Sequence, residues 1–190
     1  MEIIELNFET EDYLEDLMCH LAGQIFHLTS EASFKLIQKE KYIKNNKNGE
    51  FQLNVSSDNS FGRKNGWVCL FDFKNKTEEE IQKTISCYTF WGPSWFWEYT
   101  EDYKKIALAY LIISPECFDQ IVPNSRAPEV FKKTGEYQQY IPKTECWFPG
   151  KVPISCVKKV IIVRSCVDAP KNNPFLYAHH LMQCKNRNHA

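Results

Sequence analysis

Apolar residues occur in short runs along this chain, and polar segments separate the runs. The longest run, residues 106–113 (IALAYLII), is less than half of the roughly 20 residues that a helix needs to span a bilayer. Short apolar runs bounded by turn-forming residues are typical of buried β-strands. The pattern therefore predicts a protein built around a sheet, without a membrane span.

The second expected helix directly follows a short strand. Residues 24–29 (QIFHLT) have the composition of a strand, and Ser30 can cap a helix over residues 31–39. The spacing of its apolar residues predicts that this helix turns Phe34, Leu36 and Ile37 towards the core.

Other elements follow from the same patterns. Thr77 and Glu80 form a capping box that opens a helix ending near Cys87. We also expect a helix at 10–22, strands at 51–55, 67–73, 106–114, 145–148 and 157–164, and loops at 58–66, 88–103 and 124–142. Helices that do not alternate regularly with strands favour one α+β domain over residues 1–190.

Composition excludes several classes of protein. Of the 190 residues, 43% are hydrophobic and 25% are charged, which is ordinary globular usage and excludes disordered, collagen-like and coiled-coil chains. The formal net charge of −1 excludes a strongly basic protein that coats nucleic acid nonspecifically. This net charge is still compatible with a local basic patch that recruits nucleic acid.

The cysteines indicate the expected compartment. Eight cysteines are scattered singly, with no CxxC pair, so the spacing favours reduced thiols over a disulfide framework or a zinc site. The acidic opening MEIIELNFETEDYLED has no apolar signal-peptide region. We therefore expect a cytoplasmic protein without a metal.

His27 is the first candidate for a functional residue. It lies in the segment FHLTS, residues 26–30, where a strand ends and a helix begins. A polar side chain beside a helix N-terminus suits an anionic or carboxamide-bearing ligand. The alternative is a structural histidine next to the helix cap.

Glu145 is the second candidate, because it lies in an apolar strand. Burying a carboxylate costs free energy unless it meets a partner or a cleft. In a cleft, a single carboxylate can stabilise a positive charge that develops during a reaction. The alternative is that Glu145 lies on an edge strand and points to water.

Basic and aromatic side chains form the third group. Arg63 precedes Trp67, and a guanidinium can grip a phosphate with two hydrogen bonds, unless it is only a solvated loop cation. Five lysines form either a solvated face or a patch that tracks phosphates: Lys35, Lys39, Lys41, Lys44 and Lys47. A tryptophan cluster is either core or a stacking surface: Trp91, Trp95 and Trp97.

Two segments, in this order, resemble the ADP-ribosyltransferase superfamily, and within it the DarT-like toxins that modify nucleic acid. FHLTS is similar to the family's His-x-Thr opening, and residues 144–163 (TECWFPGKVPISCVKKVIIV) are similar to its catalytic-glutamate strand. The resemblance covers residues 24–165. It implies an α+β fold of split, twisted β-sheets with flanking helices, which hold NAD in the cleft between the halves.

The resemblance also implies roles for individual residues. Glu145 would bind the nicotinamide-ribose hydroxyl and stabilise the cation that forms as nicotinamide leaves. Arg63 would be a second catalytic residue, near the NAD phosphates and the acceptor. NAD, used as a substrate, would be bound by His27, Leu28, Thr29 and Phe71.

Partners follow from the same resemblance. The acceptor would be RNA or DNA, the role would be that of a toxin or phage-defence effector, and an antitoxin or chaperone protein would be the protein partner. Lys143 stands where arginine-modifying toxins carry Gln or Glu, and the second strand offers phenylalanines instead of a tyrosine. These departures disfavour an arginine acceptor and chain elongation. A protein-modifying transferase and an inactive docking module of the same fold remain alternatives.

Overall fold

The computed structural model describes residues 1–8, 13–50, 59–87, 97–98, 104–105, 107–135 and 138–165. The helices are α1 (Tyr13–Leu21), α2 (Glu31–Glu40), α3 (Phe61–Asn65), α4 (Glu78–Cys87) and α5 (Ala127–Thr134). The strands are β1 (Glu2–Phe8), β2 (Ile25–Ser30), β3 (Tyr42–Ile43), β4 (Trp67–Asp72), β5 (Trp97–Glu98), β6 (Lys104–Lys105), β7 (Leu108–Ile113), β8 (Glu145–Pro149), β9 (Val152–Pro153) and β10 (Val157–Ser165). Short 3₁₀ turns occupy Pro115–Gln120, Asn124–Arg126 and Ile154–Cys156.

One mixed sheet organises the protein. Its six strands lie in the order β1-β10-β7-β2-β4-β8. β1 pairs with β10 in parallel, and the other neighbours are antiparallel. The strands β3 with β9 and β5 with β6 form two separate two-stranded sheets. The protein is therefore α+β, as the sequence predicts.

Both faces of the sheet are packed. One face, here called the α1 face, lies against Leu17 and Leu21 of α1, and the opposite α2 face lies against Phe34 and Ile37 of α2. Because both faces are covered, every residue of the central strand β7 is buried. This explains why β7 is a continuous apolar run instead of an alternating one.

The expected helix caps are confirmed. The Ser30 side chain accepts a hydrogen bond from the Ser33 backbone N–H at 3.0 Å. In the capping box, Thr77 N–H donates to Glu80 at 3.0 Å and Glu80 N–H donates to Thr77 at 3.3 Å. Leu36 was expected inside but is 59% exposed, because α2 turns the i and i+3 positions, Phe34 and Ile37, to the sheet.

Two short helices replace expected loops. α3 lies within the expected loop 58–66, where Phe61 is buried and Gly66, with φ of 69°, ends the helix. α5 lies within the expected loop 124–142 and ends at Gly135. Both helices are short and lie in polar segments, so the sequence shows no clear helical periodicity of apolar residues there. The expected strand 51–55 and most of the loop 88–103, with Trp91 and Trp95, lie outside the described residues.

Cys117 and Cys156 form a disulfide, so the expectation of reduced, unpaired thiols is wrong for this pair. The two residues are 39 positions apart in sequence, with Cα atoms 5.9 Å apart. β7 and β10 are neighbours, and the turns next to them meet where Ser114 N–H donates to the Cys156 carbonyl at 2.7 Å. Only this strand pairing, which sequence spacing does not reveal, brings the two thiols together.

In the described part of the chain, no helix combines the length and the apolar character needed to cross a membrane.

Candidate functional site

β2 and β4 separate after a short stretch of pairing. They pair at Ile25 with Asp72 and at Phe26 with Phe71. Continued pairing would place Leu28 opposite Cys69. The His27 ring lies there instead, with Nδ1 2.9 Å from the Cys69 carbonyl oxygen. The side chain thus takes a carbonyl that a regular ladder offers to a backbone N–H.

The hydrogen bond fixes the protonation of His27. A carbonyl oxygen only accepts, so Nδ1 carries the hydrogen. Burial lowers the pKa of His27, and the bond to Cys69 opposes this only in part. The ring is therefore neutral at pH 7, and Nε2 is an acceptor. Within the described ranges Nε2 has no hydrogen-bond partner, so it is available to a hydroxyl group.

Glu145 opens β8 and is only 6% exposed, although β8 is the last strand of the sheet. Its Oε1 accepts a hydrogen bond from Trp147 Nε1 at 2.7 Å, and its Oε2 accepts one from Ile141 N–H at 3.0 Å. The outer edge of β8 is covered where Val122 pairs with Trp147. The alternative in which Glu145 points to water is therefore wrong.

Cys69 lies between His27 and Glu145. Burial raises the pKa of Glu145, while hydrogen bonds from Trp147, Ile141 and Cys69 lower it. The pKa of Cys69 is well above its ordinary value because of burial and the nearby Glu145 charge. The thiol therefore stays protonated near the carboxylate, and its Sγ donates to the Leu70 carbonyl at 3.9 Å. The Cys69 carbonyl faces the His27 ring.

His27 and Glu145 lie on opposite faces of the sheet. Phe26, Phe71 and Glu145 are paired across neighbouring strands, so they share the α1 face. Strand alternation directs His27 towards the α2 face. A ligand that contacts both His27 and Glu145 must therefore reach from one face of the sheet to the other past β4.

The other proposed NAD-binding residues lie close by. Leu28 is partly buried against the α1-face core, and Thr29 is half-buried. Phe71 is 8% exposed, and its ring centre is 5.7 Å from that of Phe26. Phe71 thus belongs to the packed core directly beneath the site.

Arg63 belongs to α3, which packs on the site through its first residues. The Phe61 ring lies 3.9 Å from that of Trp147. A Cβ on Gly62 would lie 3.0 Å from the Trp67 carbonyl oxygen, which is tighter than an ordinary contact, so glycine favours this close approach. The Arg63 guanidinium points towards residue 49, where a Cβ on Gly49 would lie 2.6 Å from Nη2.

Two lysines of the series form ion pairs with glutamates, so the series carries less unpaired positive charge than its sequence indicates. Lys35 pairs with Glu31 at 3.0 Å, and Lys44 pairs with Glu40 at 2.8 Å. Lys47 instead lies near α3, because a Cβ on Gly66 would meet its side chain at 3.0 Å. Lys47, at the end of the series, thus lies next to α3, the helix that carries Arg63.

Trp147 and Cys69 were not anticipated as parts of the site. The signal for Trp147 was present, since residues two apart on a strand share a face and Trp147 follows Glu145 by two. Cys69 had no comparable signal, because its position depends on pairing between β4 and β8.

No group of three or more His, Cys, Asp or Glu side chains able to hold a metal ion occurs among the residues that the structure describes. In comparisons with known proteins, no family model matches the chain, and neither a curated protein nor a solved structure shows significant similarity to it.

Replacing Trp147 with Phe removes a donor to Glu145 and raises the pKa of that carboxyl further. A carboxyl whose pKa is raised by folding costs stability once pH exceeds its unfolded pKa, and the cost disappears on acidification. Trp147→Phe should therefore lower the free energy of unfolding more at about pH 7 than at about pH 4. The two losses should differ by about 1–3 kcal/mol. Urea unfolding at both pH values measures the difference. Equal losses would indicate that only packing volume matters.

Proposed function

We propose that the protein is an NAD-dependent mono-ADP-ribosyltransferase that modifies a nucleic acid. The observation that carries the proposal is the buried, hydrogen-bonded Glu145 carboxylate, together with a neutral His27 that bonds to the neighbouring Cys69 carbonyl where the pairing of β2 with β4 stops. A carboxylate in such a position can stabilise a cationic transition state, and a neutral imidazole can accept a hydrogen bond from a ribose hydroxyl.

The reaction breaks the bond between the nicotinamide nitrogen and C1′ of the ribose. The electron pair leaves with nicotinamide, and C1′ becomes cationic as in glycoside hydrolysis. Glu145 would bind a hydroxyl of that ribose and stabilise the cation by charge. A nucleophilic atom of the acceptor then bonds to C1′ and loses its proton to solvent. Every step conserves atoms and charge without a metal or an external oxidant.

The surroundings of Glu145 suit this role. Burial strengthens the interaction of a carboxylate with a nearby cation, because fewer water dipoles screen it. The donors Trp147 and Ile141 fix the two carboxylate oxygens before a substrate arrives. Such preorganisation is the main way in which enzymes stabilise developing charge.

The separation of β2 from β4 supports the split-sheet form of the fold that the resemblance implies. A single uninterrupted ladder would leave no space between the strands. Here the His27 ring ends the ladder after two residue pairs. NAD would lie across this opening, with His27 and Thr29 towards one end and Glu145 towards the other.

A nucleic acid is the acceptor that the basic side chains favour. Arg63 and Lys64 belong to α3, and the Lys47 side chain lies next to Gly66, where that helix ends. Clustered cations attract phosphates and an arginine binds them in a fixed geometry. In the cell, such an activity would serve as a toxin or a phage-defence effector under the control of an antitoxin protein.

Glu145→Gln should abolish release of nicotinamide from NAD, with a loss of about 100-fold or more, because the neutral amide cannot stabilise the cation. The amide also offers one acceptor to two donors, so we expect a stability loss of about 1–3 kcal/mol. Nicotinamide release is measured by chromatography well below the melting temperature of each variant. The matched control is Glu129→Gln, an exposed carboxylate that pairs with Arg126. Wild-type activity in folded Glu145→Gln would contradict the proposal.

Arg63→Ala should reduce transfer to RNA or DNA by about 10-fold or more while NAD affinity changes by less than about 3-fold. The reason is that the guanidinium would hold the acceptor phosphate or the leaving diphosphate in the reacting geometry. Arg126→Ala is the control, because that exposed arginine lies on the start of α5. Transfer should also fall steeply with salt. Salt-independent transfer, or label that accumulates on protein, would favour the protein-modifying alternative.

A further inference from the structure

Asn124 lies beside Glu145 on the outer edge of β8. Val122 and Trp147 exchange two backbone hydrogen bonds, of 2.8 and 3.0 Å, in an antiparallel bridge. Continuing this register places residue 124 opposite Glu145. The chain instead turns into the 3₁₀ segment Asn124–Arg126, and the Asn124 side chain takes the place of the next backbone pair.

The Asn124 amide makes three hydrogen bonds to one short turn. Its Nδ2 donates to the Glu145 carbonyl at 2.7 Å and to the Ile141 carbonyl at 3.2 Å. Its Oδ1 accepts from Lys143 N–H at 2.8 Å. Because carbonyls only accept and a backbone N–H only donates, these partners fix the orientation of the amide.

The turn over residues 141–145 is closed by two backbone hydrogen bonds to the Ile141 carbonyl, of 3.3 and 3.0 Å, and it also holds one residue in an unfavourable conformation. Lys143 has φ of 61°, a left-handed conformation that non-glycine residues rarely adopt without support. The same turn directs the Ile141 N–H at Glu145 Oε2, with 3.0 Å between the atoms. One of the two donors that hold the carboxylate therefore depends on the turn.

We propose that Asn124 is a positioning residue for Glu145, which clamps the turn so that the Ile141 N–H stays aimed at the carboxylate. Without the clamp, Lys143 can leave its left-handed conformation and the carboxylate loses a donor. The effect of Asn124 on catalysis rests on the proposed function, but its effect on the Glu145 carboxylate does not.

Loss of a hydrogen bond to the charged form raises the pKa of a carboxyl group. Among the described residues, the titratable groups that interact with Glu145 are the thiols of Cys69 on β4 and Cys146 on β8, and the pKa of each is raised by burial. Both thiols are therefore neutral where Glu145 titrates. A change in the titration therefore reports the carboxylate itself.

The test compares Asn124→Ala with Gln138→Ala. Gln138 is a buried amide, 2% exposed, that bonds to Asn65 and Thr134, and among the described residues it forms no hydrogen bond with Glu145. Trp147 Nε1–H donates to Glu145, so its ¹H–¹⁵N cross-peak, assigned by its loss in Trp147→Phe, reports the titration. We expect the titration to move to higher pH in Asn124→Ala and to stay in place in Gln138→Ala.

The double variant Asn124→Ala, Lys143→Gly provides a rescue, because glycine adopts a positive φ without strain. It should return the cross-peak titration towards that of the wild type. It also tests the inference if Asn124→Ala alone does not fold. An unchanged titration in Asn124→Ala, or no recovery in the double variant, would overturn the positioning role.

Nicotinamide release gives the second readout. At neutral pH it should fall by about 10-fold or more in Asn124→Ala, with its acid limb moved to higher pH, and recover in the double variant. Wild-type protein that releases no nicotinamide would refute the proposed function, while the cross-peak titration would still decide whether Asn124 positions Glu145. A shifted titration with unchanged release would overturn the catalytic part of the role.

Discussion

The burial of the Glu145 carboxylate at the end of the sheet is the constraint on which this site depends. A carboxylate removed from water is tolerated only when hydrogen-bond donors replace the lost solvent. Trp147 and Ile141 supply those donors directly, and the Cys69 thiol adds a third interaction. The result is an anion whose oxygens are held in place before any substrate binds.

The closure of the sheet edge follows from the same requirement. β8 has no further strand beside it in the six-stranded sheet, yet its side chains are buried from Glu145 to Phe148. The backbone of Val122 and the side chain of Asn124 cover its outer edge, and α3 covers Trp147. The segment before α5, which looks like an irregular loop in sequence, therefore keeps water away from the carboxylate.

Local signals in the sequence predict much of the fold. The Ser30 cap, the box of Thr77 and Glu80, and the apolar strands depend on residues close in sequence, and those that fall on described residues form as expected. The disulfide between Cys117 and Cys156 depends on β7 lying next to β10, which no local pattern encodes. β1 was missed for a similar reason, since only its parallel pairing with β10 defines it.

The sequence also predicts some residues of the site and misses others. The sequence singles out Glu145 and His27 because each is a polar group in an apolar segment. Their connection through Cys69 arises from the pairing of β4 with β8 and from the early end of its pairing with β2. Asn124 is invisible to sequence reasoning, because its role comes from the register of an isolated bridge to β8.

The most direct test of the account follows both halves of NAD in one reaction. Purified wild-type protein is incubated with NAD labelled separately in the nicotinamide and in the adenylate, together with RNA, DNA and lysate protein. We expect the nicotinamide label to be released and the adenylate label to enter the RNA or DNA fraction. Adenylate label on protein alone would indicate the protein-modifying alternative. Intact NAD with every acceptor would contradict catalysis and favour a docking module without transferase activity.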